Sequence, residues 1–287
     1  MTSGDPVSTT WRELLALAES RLGSKNDARR LVERASGFEG GEYLAGLDET
    51  ATPRTRDFFL RMLERRAAGE PLQYVLGRWG FRRLDLFLDR RVLIPRPETE
   101  MVVQVALAEL AALHVPRPTA VDLGTGSGAI ALSIALEAPT SRVWATDVSA
   151  DALDVARANL AGAGTLAATR VRLEHGSWFD PLPPLLRGHV HLVVANPPYV
   201  GDDEELPPDV ENWEPRAALR SGPTGLEDVG RIVKEAPTWL SAPGALVVEI
   251  APHQAMAACA MSEQAGFREV EVRRDLTGRD RMLVARW

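Results

Sequence analysis

The sequence predicts an α/β protein with a largely parallel, doubly wound sheet behind a small all-helical N-terminal domain. Three observations carry this. Residues 1 to about 70 show helix caps and helical spacing of apolar residues, with no strand pattern. From about Pro97, short apolar runs alternate with helical stretches, the rhythm of βαβ units. Between the two, Leu84, Leu86 and Leu88 alternate with Asp85, Phe87 and Asp89, which is strand periodicity.

Taken in order, Thr10-Trp11-Arg12-Glu13 fits a capping box, and Leu14, Leu15, Leu17, Ala18 and Leu22 follow at helical spacing up to a stop at Gly23. A second helix is expected after Asn26, with Leu31, Val32 and Ala35 on one face. Thr52-Pro53 starts a third, whose core face is Phe58, Phe59, Met62 and Leu63 and which should end at Gly69. Gly77 and Trp79-Gly80 suggest a hairpin. Its neighbours Arg78, Arg82, Arg83, Arg90, Arg91 and Arg96 make the ribbon locally basic, as either a solvated linker or a contact surface for a macromolecule. Expected strands are Thr119–Leu123, Arg142–Asp147, Arg170–Glu174, Val190–Ala195, Ala245–Ile250, Phe267–Arg274 and Arg281–Trp287. Expected helices are Glu98–His114, Ser127–Glu137, Ala150–Ala161, Leu226–Leu240 and Gln254–Gln264. The short Asp275–Asp280 connection leaves no room for a crossover helix, so the last two strands should pair antiparallel. These readings divide the chain into a helical domain over 1–72, a hairpin linker over 73–96 and an α/β domain over 97–287.

At 287 residues, 45% hydrophobic and 25% charged, the chain suits about two folded domains and is not a disordered polymer. A single cysteine, Cys259, excludes an intrachain disulfide and a cysteine-based metal cluster, and no metal site is expected. No apolar run approaches the ~20 residues of a membrane span. Met1 to Thr10 lacks the basic and apolar stretches of a secretory leader, so a cytoplasmic setting is expected. Residues 1–100 hold 17 Lys and Arg against 16 Asp and Glu, whereas 101–287 hold 16 against 24. So acidic a main body disfavours stable binding to nucleic acid, which rests on neutralising phosphates.

Three motifs carry chemistry. Asp122-Leu123-Gly124-Thr125-Gly126-Ser127-Gly128 ends the first strand of the α/β domain, where glycines let a backbone approach a ligand and turn into a helix. Alone it is ambiguous, since Gly124, Gly126 and Ala129 also satisfy a dinucleotide fingerprint. Asp147 ends the next strand, where a carboxylate can accept from both hydroxyls of a ribose; NAD and S-adenosylmethionine each carry one. Asn196-Pro197-Pro198-Tyr199 follows the apolar strand Val190–Ala195 at the ligand-binding edge of such sheets. Two prolines stiffen the turn and remove two donors. The carbonyls of Asn196 and Pro197, the Asn196 side-chain oxygen and the flat ring of Tyr199 together describe a receptor for a planar NH2 group. A nicotinamide-dependent oxidoreductase would use the glycines and Asp147 but leave this turn idle.

With these motifs the chain resembles class I S-adenosylmethionine-dependent methyltransferases acting on exocyclic or amide nitrogen, which include adenine-N6 and guanine-N2 enzymes on nucleic acids. A narrower resemblance separates them. Gly69-Glu70-Pro71-Leu72-Gln73-Tyr74-Val75-Leu76-Gly77 and Val92-Leu93-Ile94-Pro95-Arg96-Pro97-Glu98-Thr99-Glu100 are similar to signatures of the peptide chain release factor N5-glutamine methyltransferases. Glu214-Pro215, Ala218-Leu219, Gly225-Leu226, Glu249-Ile250 and Gln254 fit the same pattern, whereas Ala251 and Pro223-Thr224 depart from it. The resemblance implies a Rossmann-like, seven-stranded methyltransferase sheet with an antiparallel last strand, joined by a β-hairpin linker to a helical substrate-recognition domain. It implies S-adenosylmethionine as cofactor and, as protein substrate, class-1 release factors, methylated on the glutamine of their Gly-Gly-Gln loop by a monomer. By motif position, Gly124, Thr125, Gly126, Ser127 and Gly128 would contact the methionine part and Asp147 the ribose. Trp178 would lie beside the adenine and Asn196 would also touch the cofactor, while Asn196, Pro197, Pro198 and Tyr199 would hold the glutamine amide, with Asn196, Pro197 and Tyr199 catalytic. No His, Cys or Lys inside the motifs offers a dedicated base; His175 and His191 are nearest in sequence. Arg96, Glu98 and Glu100 either start the next helix or touch substrate.

Overall fold

A computed structural model of the chain describes residues 9–287. The Met1–Ser8 part of the stretch read as leaderless lies outside the described residues. Contacts divide the chain into two compact units, Met1–Arg78 and Trp79–Trp287.

In the first unit, α1 (Trp11–Leu22) begins on a complete Thr10/Glu13 capping box and ends on Gly23 at φ 64°. Helix α2 (Lys25–Ser36) starts before Asn26, because the Ser24 hydroxyl accepts from Asp27 N–H at 3.2 Å. The short helices α3 (Gly41–Gly46) and α5 (Leu72–Leu76) flank α4 (Pro53–Ala67) in the chain. Five or six residues are too few for a helical period to show in sequence. Trp11 meets Phe59 edge-on, ring centroids 6.4 Å apart, over buried Leu31, Met62 and Leu63. The Gly69–Gly77 motif is organised by Glu70, a buried carboxylate that takes two bonds from Arg65, at 2.6 and 2.8 Å. Arg65 also donates to Tyr74 O, so α5 belongs with α4 rather than with a linker beginning at 73.

Strands β1 (Arg78–Phe81) and β2 (Leu84–Phe87) form a two-stranded hairpin. Its turn falls at Arg82-Arg83, not at the expected Trp79-Gly80, which lies inside β1. Arg82 adopts φ 49°, a conformation that usually selects glycine. It holds there because its guanidinium is bidentate to Glu137 (2.6 and 2.7 Å) and its N–H donates to Glu100 at 3.1 Å.

The rest of the second unit runs α6 (Pro97–Ala112), β3 (Thr119–Leu123), α7 (Ala129–Glu137), β4 (Arg142–Asp147), α8 (Ala150–Gly162), α9 (Thr165–Ala168), β5 (Val171–His175), β6 (Val190–Ala195), α10 (Pro208–Glu211), α11 (Glu227–Trp239), β7 (Leu240–Glu249), α12 (Ala255–Gln264), β8 (Glu269–Arg274) and β9 (Asp280–Arg286). The seven strands lie in the order β5-β4-β3-β6-β7-β9-β8. Strand β9 runs antiparallel to both β7 and β8, the latter as their short connection requires. Phe267, expected in β8, instead packs edge-on against Trp287 at 5.6 Å. Val121, Leu123, Val193, Ala195, Leu246 and Val248 are fully buried, the near-continuous apolar pattern of strands covered on both faces. Among the described residues, no helix is long and apolar enough to cross a membrane.

One buried side chain joins the hairpin to this sheet. Asn159 of α8 accepts Phe87 N–H at 2.7 Å and donates to Phe87 O and to Ser127 O, at 3.1 and 2.8 Å. Leaving a buried backbone group unpaired costs about 1–3 kcal/mol. Asn159→Ala should therefore lower the unfolding free energy by about 2–3 kcal/mol in urea titrations. A change under about 0.5 kcal/mol, typical of plain surface sites, would show that these bonds are dispensable.

Candidate active site

Strand register assembles the site. Leu123 of β3 pairs with Ala195 of β6 on one side and with Thr146 of β4 on the other. The next residue along each strand is Gly124, Asn196 or Asp147. Neighbouring strands lie about 4.8 Å apart, so three motifs distant in sequence emerge together at the carboxyl edge. The chain order also reverses between β3 and β6, the point where open α/β sheets bind ligands.

The cleft there has a volume of about 330 Å³, within the usual range for small-molecule sites. Gly124, Gly126, Asp147, Trp178, Asn196 and Pro198 all line it. Gly124, at φ 69°, lies against Trp178; a Cβ there would meet the ring at 3.2 Å. Thr125, Ser127 and Gly128 do not line the cleft but build its wall. The Thr125 hydroxyl donates to Asp122 at 2.6 Å, the Ser127 carbonyl holds Asn159, and Gly128 opens α7. Asp147 accepts Gly126 N–H on one oxygen and Ser149 N–H on the other, both at 2.8 Å. A carboxylate offers about four acceptor sites, so each oxygen keeps one for a further donor. Burial raises the Asp147 pKa, with those two N–H bonds opposing. Val148, Ser149 and Ser177 extend the wall beside Asp147 and Trp178, and Asp228 and Arg231 add charged groups from α11. A carboxylate with spare acceptor sites, an aromatic face and glycines in one cleft fit S-adenosylmethionine.

The Asn-Pro-Pro-Tyr turn is split between the cleft and its support. Asn196 and Pro198 reach the cleft wall, whereas Pro197 and Tyr199 are not among its lining residues. The Tyr199 hydroxyl donates to Glu249 Oε1 at 3.3 Å, and its carbonyl accepts from Gln254 at 2.9 Å. Burial and the nearby Glu249 charge raise the Tyr199 pKa well above the ordinary phenol value. Asn196 Nδ2 donates to Thr99 Oγ1 at 3.1 Å, and Thr99 Oγ1 donates to Glu249 Oε2 at 2.8 Å.

The Arg96–Glu100 segment is tied down by its charges. Arg96 pairs with Glu214, which also accepts Ile94 N–H at 3.1 Å. Glu98 takes Arg279 at 3.0 Å, and Glu100 takes Arg82 N–H. Most of the basic ribbon is likewise used internally. Arg91 is bonded to Asp89 at 2.6–3.1 Å, and Arg90 stacks over Trp213 at 4.1 Å. Neither of the histidines nearest the motifs in sequence lines the cleft: His191 accepts Thr119 N–H at the amino edge of the sheet, and His175, paired in register with Asp147, is bonded to Val148 O.

The family model described as the PrmC N-terminal domain matches residues 13–77, and that of the methyltransferase small domain matches 104–210. The release factor glutamine methyltransferase of Bordetella pertussis is 41% identical over 257 residues, covering 89% of this chain and 92% of that one. This chain belongs to the release factor glutamine methyltransferase family. The Deinococcus radiodurans member is 38% identical over 284 residues, 96% of this chain and 98% of that one. Among solved structures, the hMettl16 catalytic domain in complex with MAT2A 3′UTR hairpin 6 matches at TM-score 0.53 and 13% identity, over 84% of each chain, a likeness of fold alone. For a release factor glutamine methyltransferase family member, two site residues carried no functional weight in sequence. Thr99 and Glu249 sit inside the quoted motifs, but neither type suggests a role until the fold brings them to Asn196.

Two predictions follow from the cleft. A charge-assisted hydrogen bond contributes about 1.5–3 kcal/mol, so Asp147→Ala should weaken S-adenosylmethionine binding roughly tenfold or more by calorimetry. Unchanged affinity in a folded variant would remove Asp147 from the site.

The second concerns Asp122, fully buried with Oδ1 lacking a partner. Burial pushes its pKa up from the ordinary 3.8 to about 7, against the bonds from Thr125 and Ala131. The folded state then holds a proton that the unfolded chain has already released, so this penalty on folding fades as pH falls through about 7. The stability of the wild type relative to Asp122→Asn should rise between pH 8 and pH 6 in urea unfolding. A constant difference would show that Asp122 does not titrate there.

Proposed function

We propose that this chain transfers the methyl group of S-adenosylmethionine to the side-chain amide nitrogen, N5, of the glutamine in the Gly-Gly-Gln motif of class-1 peptide chain release factors. The observation that carries this reading is the position of Asn196. It lies on the wall of the cleft that holds Gly124, Gly126, Asp147 and Trp178, and it opens a turn whose two prolines offer no N–H. Acceptors without donors suit an NH2 group.

Bound S-adenosylmethionine supplies an electrophilic methyl on a sulfonium. Asp147 would hold the ribose, Trp178 would face the adenine, and the glycine loop would leave room for the methionine portion. The side-chain and backbone oxygens of Asn196, which lines the cleft, accept from the substrate NH2. An amide nitrogen is a weak nucleophile because its lone pair is delocalised into the carbonyl. These acceptors align it and stabilise the positive charge that develops on it. Positioning of this kind contributes up to roughly 7–11 kcal/mol in well-oriented reactions, and preorganised dipoles add to it. No side chain need act as a strong base, since proton loss to water can follow transfer. The helical N-terminal region, matched by its own family model, serves substrate recognition in this reading, and the setting is cytoplasmic.

The test is incubation of purified release factor with labelled S-adenosylmethionine, followed by mapping of the modified residue. A single methyl on the Gly-Gly-Gln glutamine is expected, and label on nucleic acid instead would overturn the reading. Losing a well-placed transition-state partner costs about 10²–10³ in rate, so Asn196→Ala should slow methylation by that factor with cofactor affinity much less affected. Asn196→Asp should also methylate poorly while keeping or raising affinity for the cationic cofactor. Wild-type rates in both variants would leave the turn only structural.

A further inference from the structure

Asn196 can serve a substrate NH2 only if its amide is turned the right way, because the two ends of a carboxamide have opposite hydrogen-bonding character. The surrounding residues decide which end faces the cleft. Ala195 of β6 pairs with Val248 of β7, so Asn196 and Glu249 follow paired residues at the same edge. Thr99, in the first turn of α6 and 3% exposed, reaches both. Its Oγ1 lies 2.8 Å from Glu249 Oε2 and 3.1 Å from Asn196 Nδ2. The other carboxylate oxygen takes the Tyr199 hydroxyl at 3.3 Å.

Proton counting then fixes the orientation. Burial raises the Glu249 pKa to about 7, and above that pH its carboxylate has no proton to give, whereas a threonine hydroxyl has one. Thr99 gives its proton to Glu249, so only its lone pairs face Asn196. A side-chain oxygen turned toward Thr99 would set two acceptors against each other. The NH2 end must point at Thr99, which leaves Oδ1 for the cleft.

We propose that Thr99, polarised by Glu249, is a positioning residue that sets the amide of Asn196 so that Oδ1 and not Nδ2 meets the substrate amide. This rests on the glutamine-methylating reading for its substrate but not for its geometry. Thr99→Val keeps the shape and removes the relay. Glu249→Gln keeps the size but can donate to Thr99, turning the threonine proton toward Asn196 and drawing its oxygen away from the cleft.

The experiment compares wild type, Thr99→Val, Thr99→Ser and Glu249→Gln at pH 8, where Glu249 is mostly ionised, in steady-state methylation of release factor, with S-adenosylmethionine affinity measured by calorimetry. Thr99→Val and Glu249→Gln should lose about 10- to 100-fold in kcat. Cofactor affinity and the KM for release factor should stay within about twofold. Thr99→Ser, which keeps the hydroxyl, should recover most of the rate. A wild-type kcat in Thr99→Val, or a loss shared equally by cofactor binding, would overturn the proposal. A second readout needs no substrate: the side-chain NH2 protons of Asn196 should exchange slowly by NMR in the wild type and quickly in Thr99→Val. Equal exchange rates would overturn the orientation. An unmethylated release factor with slow exchange intact would overturn the function reading alone.

Discussion

Strand β6 is buried between β3 and β7, and its register with both is the constraint on which the site depends. Leu123 and Val248 flank Ala195, so Gly124, Asn196 and Glu249 follow at one edge. A one-residue slip would turn every β6 side chain to the opposite face, exchanging buried apolar groups for others. Val193, Val194 and Ala195 are all fully buried, so the packing of both faces resists that slip. The same apolar burial that stabilises the sheet therefore fixes where the chemistry is displayed.

Apolar surroundings also set the behaviour of the polar groups placed among them. Asp122 and Glu249 are each pushed up to about 7 by burial, yet their environments differ. Glu249 takes hydroxyl protons on both oxygens and faces the positive charge of Arg281, which favours its ionised form. Asp122 has one oxygen unpartnered, and its other oxygen takes the Thr125 hydroxyl of the glycine loop and the Ala131 N–H of α7. One carboxyl organises the Gly124–Gly128 loop and the other the Asn-Pro-Pro-Tyr turn. A buried polar group that is fully paired confers a single arrangement, because any alternative leaves a partner unsatisfied.

The arginines near the hairpin show why a charge count does not locate an interface. In sequence they form a basic ribbon. In the fold, Arg82 is spent on Glu137 and Glu100, Arg91 on Asp89, and Arg96 on Glu214. Glu214 lies 118 residues from Arg96, so no local pattern could have paired them. What the ribbon supplies instead is anchorage, which fixes the segment carrying Thr99. Glycine's usual place in a two-residue hairpin turn is likewise taken by Arg82 because the distant Glu137 pair offsets the strain.

The sequence by itself determined what is set by near neighbours. Thr10, Thr52 and Ser149 accept N–H groups three residues on, and the loop glycines adopt positive φ where the chain turns from strand to helix. Two-residue and 3.6-residue periods marked the long elements. Elements of four to six residues, such as α3, α5 and α9, stayed hidden because they contain barely one period. Only the tertiary structure decided which residues act on which. Thr99 meets Asn196 across 97 residues and Glu249 across 150, through hydroxyl and carboxylate groups found everywhere in proteins. A hydrogen bond is specific at about 3 Å and silent in sequence, so its partners become known only when the sheet register and the docking of α6 bring them within that distance.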